Sequence, residues 1–416
     1  MLIHSASQLL TLAGGAQRGS ELGRLGIIEK GAVLIRGEQI AAVGSTEEML
    51  TRFPDEERLD VRGKVVMPGF IDPHTHLVWA GDRAAEFEMR LQGKTYMEIM
   101  AAGGGIASTM RATRQASVVE LLTQTRERAQ AMFRNGTTTA EAKTGYGLEL
   151  QSELAQLDVL LQLDAEGPLE LVPTFLPAHA IPPEYTGRED EYTRLICETM
   201  LPAAVDLWKK RAYTQPLPFV DVFCERGAFS LEQTRSIMTA ARNLGFPVKV
   251  HVDEFENLGG AALAIEMGAV SIDHVVRTSP AEIACLGQAE TVAVSLPCTP
   301  FGLAQTEYTP AREIIAVDGY LAVATDINPG TAWCDNMQFV IALACRYLKL
   351  TPAQAVAAAT INAAKAIRKD NCVGSLEEGK QADLLILSVS DYRHLAYRFG
   401  GNLVETVIKK GFVKKN

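Results

Sequence analysis

Val65-Val66-Met67-Pro68-Gly69-Phe70-Ile71-Asp72-Pro73-His74-Thr75-His76-Leu77 is an apolar run that ends in two histidines. In extended backbone, side chains two apart point to the same side. His74 and His76 therefore converge on one point, and neutral imidazoles are common metal ligands. The chain has only seven histidines, so two in one tripeptide exceed what composition explains. An isolated His-x-His is weak evidence, and the rest of the chain decides its weight.

The stretch Val65–Phe70 is the first of eight strand-like runs. The others are Thr137–Ala142, Leu169–Leu176, Phe219–Cys224, Val248–Val252, Val270–Ile272, Val292–Leu296 and Leu321–Ala324. Most are continuously apolar, as expected of parallel strands buried on both faces. Helical patterns lie between them, over Val118–Phe133, Leu148–Leu163 and Leu231–Leu244. Eight βα units predict an α/β fold, a (β/α)8 TIM-like barrel. A doubly wound open sheet competes, but no Gly-rich phosphate loop follows the first strand.

The two ends read differently. Short strands are expected at Ala32–Ile35 and Ile40–Val43, with a turn at Arg36-Gly37-Glu38. Similar ones are expected at Asp383–Leu387, Val404–Lys409 and Gly411–Lys414. Chain ends often lie close together, so these strands predict one small β-sandwich domain built from both termini. The expected division is residues 1–66 plus 366–416 for that domain and 67–365 for the barrel.

A chain of 416 residues with 47% apolar and 22% charged content is ordinary for a water-soluble globular protein. No run reaches the length of a membrane helix. Met1–Ser5 carries no basic region followed by an apolar stretch, so no secretory leader is expected. The net charge of -10 disfavours nucleic acid and acidic membranes as partners. The seven cysteines are scattered and form no Cys-x-x-Cys pair. Disulfides and a structural zinc site are not expected, which fits the cytoplasm.

Barrel chemistry sits at strand C-termini. The first strand ends in His74-Thr75-His76, the second runs into Lys143–Gly147, and the third ends in Pro177-Ala178-His179. The fifth ends in His251-Val252-Asp253-Glu254, the sixth in Asp273-His274 and the eighth in Thr325–Thr331. Five of seven histidines thus fall at strand ends. Any one of them alone would read as a satisfied buried residue, but together they point to metal-assisted hydrolysis. Such a site keeps a position open for a water activated by the ion. His74, His76, His251 and Asp326 would supply N, N, N and O, a set suited to Zn2+ or iron. Asp326, Glu254 or His274 could move the protons, or the last two could instead support the ligands.

Pro68–Leu77, His251, His274 and Asp326, at these strand ends, resemble the metal-dependent amidohydrolase superfamily. The spacing His251-x-x-Glu254 is similar to its mononuclear members. No lysine lies in Phe219–Arg226 to bridge a second ion, so the resemblance implies one divalent metal ion per chain, Zn2+ or Fe (2+/3+). Further segments resemble, over essentially the whole chain, the members that hydrolyse 4-imidazolone-5-propanoate to N-formimidoyl-L-glutamate in histidine degradation. These are Phe70–Arg90, Gly103–Ile106, Lys143–Leu148, Phe175–Ala180, His251–Phe255 and Ala324–Thr331. The resemblance implies substrate contacts from Arg83, Tyr146, His179, Glu254, Asn328, Gly330 and Thr331, and a homodimer. A propionate carboxylate asks for a cation, and Arg83 could supply one or form a surface ion pair with Asp82 or Glu86. Gly103–Gly105 reads as a loop over the site or as a plain turn. Two rivals are a deaminase of a neutral heterocyclic base, which has no need of Arg83, and a non-enzymatic barrel that binds a metal or small molecule.

Overall fold

The computed structural model describes residues 1–94, 98, 104–211 and 216–415. Five strands come first: β1 (Leu2–Leu10), β2 (Ile27–Arg36), β3 (Gln39–Ser45), β4 (Arg58–Asp60) and β5 (Val65–Pro68). The next eight are β6 (Phe70–Asp72), β7 (Thr137–Lys143), β8 (Glu170–Ala178), β9 (Phe219–Cys224), β10 (Lys249–Val252), β11 (Ser271–His274), β12 (Val292–Ser295) and β13 (Tyr320–Val323). Three more close the chain: β14 (Leu384–Leu387), β15 (Val404–Lys409) and β16 (Phe412–Lys415).

Strands β6 to β13 lie side by side in chain order, all parallel. They form the eight-stranded barrel that the alternating pattern predicts. Their side chains are buried almost throughout, which is why the runs are apolar without alternation. The barrel closes just past the strand ends rather than along a ladder. His76 N donates to Ile327 O at 2.9 Å, and Asp326 N donates to His74 O at 3.2 Å. Closure therefore places the ends of the first and eighth strands against each other.

The expected run Val65–Phe70 is not one strand. Val65–Pro68 pairs antiparallel with β14 and parallel with β1, whereas Phe70 pairs with Thr137 of β7. Both halves are apolar because both sheets are buried, so the pattern cannot show the break. Gly69 makes the crossing, where an added Cβ would lie 2.8 Å from Thr138 Cβ.

The other eight strands form a mixed sheet in the order β16-β15-β14-β5-β1-β2-β3, with β4 beside β1. Its ends curl back to meet. Gln39 pairs with Gln381, and a Cβ on Gly411 would strike Gly37 O in the β2–β3 turn. Ile3, Leu9, Val33, Val66, Ile386 and Ile408 share the apolar cluster inside it.

The three expected helices are found at Val118–Arg134, Leu150–Glu166 and Leu231–Asn243. Ser117 with Glu120 and Ser230 with Gln233 cap two of them reciprocally. The middle helix starts later than expected because Leu148 takes a φ of 53°, outside the helical region. Among the described residues, no helix is long and apolar enough to cross a membrane.

Candidate metal centre

β6 stops at Asp72, and the chain continues through Pro73 to His74-Thr75-His76. The Asp72 carboxylate is buried and accepts from Thr325 N at 3.2 Å and His74 N at 3.4 Å. It thereby pins the first strand end to the eighth, and burial raises its pKa to about 7. His251 lies within the β10 ladder, and His274 is the last residue of β11. The run read as Val270–Ile272 thus extends to His274, because the ladder tolerates polar residues where they face the barrel interior. His274 and Asp326 both have positive φ, 77° and 55°. Non-glycine residues in that region carry strain, which clusters at functional sites.

The side chains converge. His74 Nε2 and His76 Nε2 each lie 3.5 Å from Asp326 Oδ1. His251 Nε2 lies 3.2 Å from His76 Nε2. With bonds of roughly 2.0–2.1 Å, neighbouring ligand atoms of a tetrahedral site stand about 3.3 Å apart, so these separations suit a common ion. His74 Nε2 and Asp326 Oδ1 are buried without a hydrogen-bond partner, an arrangement that costs free energy unless something else satisfies them. His74, His251 and His274 form a second, overlapping group of possible ligand atoms. His274 Nε2 also stands 3.5 Å from Glu254 Oε2.

The electrostatics fit metal binding. Burial, with the Lys143 ammonium and the crowding of imidazoles adding to it, holds His74, His76 and His274 well below the usual histidine range. The rings are then neutral, as ligands must be. Burial raises Asp326 to about 6 even though the Thr299 hydroxyl donates to it. Glu254 is pushed well above the usual carboxylate range by burial, then by Asp326 and Glu225. Behind the cluster, Asp273 Oδ2 sits 2.6 Å from His74 Nδ1, and Asp221 Oδ2 lies 3.0 Å from His251 Nδ1. Carboxylates at Nδ1 turn Nε2 toward the centre.

Beside this cluster, His179 stacks on His76 with centroids 4.6 Å apart, and Tyr146 meets His179 edge-on at 5.2 Å. His179 Nδ1 lies 2.9 Å from Gly145 O. A carbonyl only accepts, so the proton is on Nδ1 and Nε2 is left as an acceptor. The loop after β13 is a tight turn in which Asn328 Oδ1 accepts from Gly330 N and Thr331 N, both at 2.8 Å. Arg83 Nε donates to Thr109 Oγ1 at 2.8 Å. A Cβ on Gly330 would lie 2.5 Å from Arg83 Nη1, so the bare glycine makes room for the guanidinium. Asp82 accepts from Ala84 N and Glu86 from Gly105 N. Arg83, Phe87, Arg90, Gly330, Thr331 and Trp333 line a cavity of about 560 Å3. Of the glycines read as a loop over the site or a plain turn, Gly103 lies outside the described residues. Gly104 is buried, and Gly105 precedes the helix Ile106–Gln115.

Asp221, Asp273 and Thr299 touch the cluster, yet their roles were not legible beforehand. The available signal was a charge inside an apolar run, as at Asp221 in Phe219–Cys224. A charge buried in a parallel strand needs a partner.

A parallel barrel with three histidines and an aspartate at its strand ends defines the amidohydrolase class. The amidohydrolase family model matches residues 65–413, and a model of the bacterial imidazolonepropionase-like composite domain matches residues 31–55. Imidazolonepropionase of Chloroflexus aggregans is 51% identical over 417 residues, covering 99% of this chain and 98% of that protein. Its counterpart from Herpetosiphon aurantiacus is 48% identical over 412 residues, covering 99% and 96%. The chain therefore belongs to the amidohydrolase family and, within it, to the imidazolonepropionases. Among solved structures, a zinc-bound adenosine deaminase from Xanthomonas campestris superposes with a TM-score of 0.71 at 20% identity, covering 100% of this chain and 92% of its own. Guanine deaminase from E. coli gives 0.71 at 16%, covering 100% and 99%. At such identities the likeness is one of fold.

Proposed function

We propose that the chain hydrolyses the ring C–N amide bond of 4-imidazolone-5-propanoate, giving N-formimidoyl-L-glutamate in histidine degradation. The observation that carries this reading is the Arg83 guanidinium, packed on Gly330 and near enough to Tyr146 and His179, which flank the His-Asp cluster, for its charge to act on both. A cation there matches a propionate, and the cluster matches the ring amide. A deaminase of a neutral base, which the fold neighbours would suggest, gives Arg83 nothing to bind.

His74, His76, His251 and Asp326 are the proposed ligands of one divalent ion, Zn2+ or iron. Such an ion supplies an activated water and polarises the carbonyl. Asp326 is the proposed proton acceptor, since a carboxylate beside the activated water can take a proton and return it to the leaving ring nitrogen. Glu254 and His274 face each other across the opening. They are placed to donate to the ring and to the developing oxyanion. Arg83, Tyr146, His179, Asn328, Gly330 and Thr331 hold the substrate, with Arg83 on its carboxylate. The barrel carries the chemistry, and the terminal domain braces it; the expected boundary at residue 67 moves to Phe70, because Met67 and Pro68 pair with β14 of the terminal sheet. The seven cysteines are free thiols, which suits the cytoplasm. A homodimer is carried over from the family resemblance.

The test is ultraviolet monitoring of imidazolone propionate consumption by purified protein. Activity should be lost on chelation and restored by Zn2+ or Fe2+. A metal-loaded protein that leaves the substrate intact overturns the proposal.

A further inference from the structure

Two lysines lie fully buried inside the barrel, Lys143 at the end of β7 and Lys249 in β10. Neither reaches the proposed ligands, and neither has a part in the chemistry above. Lys143 Nζ lies 2.7 Å from Glu141 Oε1, 2.8 Å from Asp221 Oδ2 and 4.0 Å from Asp273 Oδ2. Each of these carboxylates holds a different part of the ligand set. Glu141 Oε2 accepts from Thr75 N at 3.0 Å, and its carbonyl accepts from the Thr75 hydroxyl at 2.7 Å. Thr75 is the residue between His74 and His76. Asp221 sits against His251 Nδ1, and Asp273 against His74 Nδ1. Lys249 Nζ donates to Pro73 O at 2.8 Å and lies 3.5 Å from Asp273 Oδ2, while Ser271 Oγ donates to Asp273 Oδ1 at 2.6 Å.

We infer that Lys143 is the positioning residue of the whole centre. One ammonium gathers three carboxylates, and through them it sets the backbone between two ligands and the ring orientation of two. Lys249 is the lesser partner, clamping Pro73 and Asp273 together. The arithmetic of charge supports this. Three buried carboxylates would repel one another, and two buried ammonium groups offset most of that repulsion. Without the ammonium nothing would draw the carboxylates together, and carboxylates held at Nδ1 are what orient histidine ligands. The inference rests on the metal reading of the site.

The test compares Lys143→Met with the wild-type protein. Each is stripped of metal, and Zn2+ affinity is measured by competition with a chromophoric chelator. The visible spectrum of the Co2+-loaded form is recorded alongside. Lys143→Met should bind Zn2+ about 10- to 100-fold more weakly, the usual effect of changing a residue behind a metal ligand. Its Co2+ bands should shift, which a loss of stability alone would not cause. Lys143→Met/Asp221→Asn removes one charge of each sign, so it should fold even where the single variant does not. It should still bind Zn2+ more weakly than wild type. Wild-type affinity and an unchanged Co2+ spectrum in either folded variant overturn the role of Lys143. A wild-type protein that takes up neither Zn2+ nor Co2+ overturns the metal reading itself.

Discussion

His251 and Glu254 are three residues apart, yet their substitution should have opposite consequences for the metal. His251 Nε2 lies 3.2 Å from His76 Nε2 at the heart of the cluster. His251→Ala should lose the ion, and activity should fall at least about a thousand-fold because the activated water goes with it. Full metal content and normal turnover, by elemental analysis and assay, would remove His251 from the site. Glu254→Gln should keep the metal and lower kcat by about a hundred- to ten-thousand-fold, the span of a positioned proton-transfer group. Metal loss in that variant would make Glu254 a structural residue. Substrate reading belongs to Arg83. Arg83→Gln keeps polarity and removes the cation, so kcat/KM should drop by roughly 2–4 kcal/mol, mostly through KM. The discriminating control is an uncharged amide analogue of the substrate. An equal loss on acid and amide would show that Arg83 does not read the carboxylate.

Among the elements, the first barrel strand teaches most. Seven of the eight expected strands coincide with one observed strand each, because parallel strands buried on both faces leave an unambiguous apolar run. Val65–Phe70 did not, because the run spans two strands in two different sheets and both are buried. Hydrophobicity records burial and not partnership. The same limit explains the centre. His74, His76, His251, His274 and Asp326 were legible as polar residues at strand ends. The roles of Asp221, Asp273 and Lys143 were not legible, because what they do depends on partners 30 to 199 positions away in sequence. The crossing at Gly69 gives a test at this scale. Gly69→Ala drives a methyl into the Thr138 side chain and should destabilise by about 1–3 kcal/mol, as overpacking does. Adding Thr138→Ala, which removes both the hydroxyl and the methyl that the new Cβ would meet, should recover part of that loss. A melting temperature unmoved by Gly69→Ala would mean that the two sheets can shift apart at this point.

On the scale of the whole molecule, the terminal sheet is held to the barrel by charge as well as by apolar packing. Glu170 begins β8, at the barrel end opposite the metal centre. Its carboxylate accepts from Lys369 Nζ at 2.9 Å, Gln381 Nε2 at 3.0 Å and Lys409 Nζ at 3.1 Å. Lys409, in β15, is also 2.7 Å from Asp383 Oδ2. Burial opposes ionisation of Glu170, but Lys409 and Lys369 outweigh it and lower its pKa from 4.5 to about 2. A carboxylate whose pKa is lower in the folded state stabilises the fold above its unfolded pKa. That stability disappears as pH falls through the folded value. The gap corresponds to about 3 kcal/mol, fully present above pH 4.5 and lost between 4.5 and about 2. Glu170→Gln should therefore melt at a lower temperature than wild type at pH 7. The difference should hold steady down to about pH 5 and then shrink as the buffer is made more acid. Other carboxylates titrate in both proteins, so the difference between the two melting curves isolates Glu170. A difference that stays constant from pH 7 to pH 3 would show that the glutamate acts through packing, and that charge does not join the two sheets.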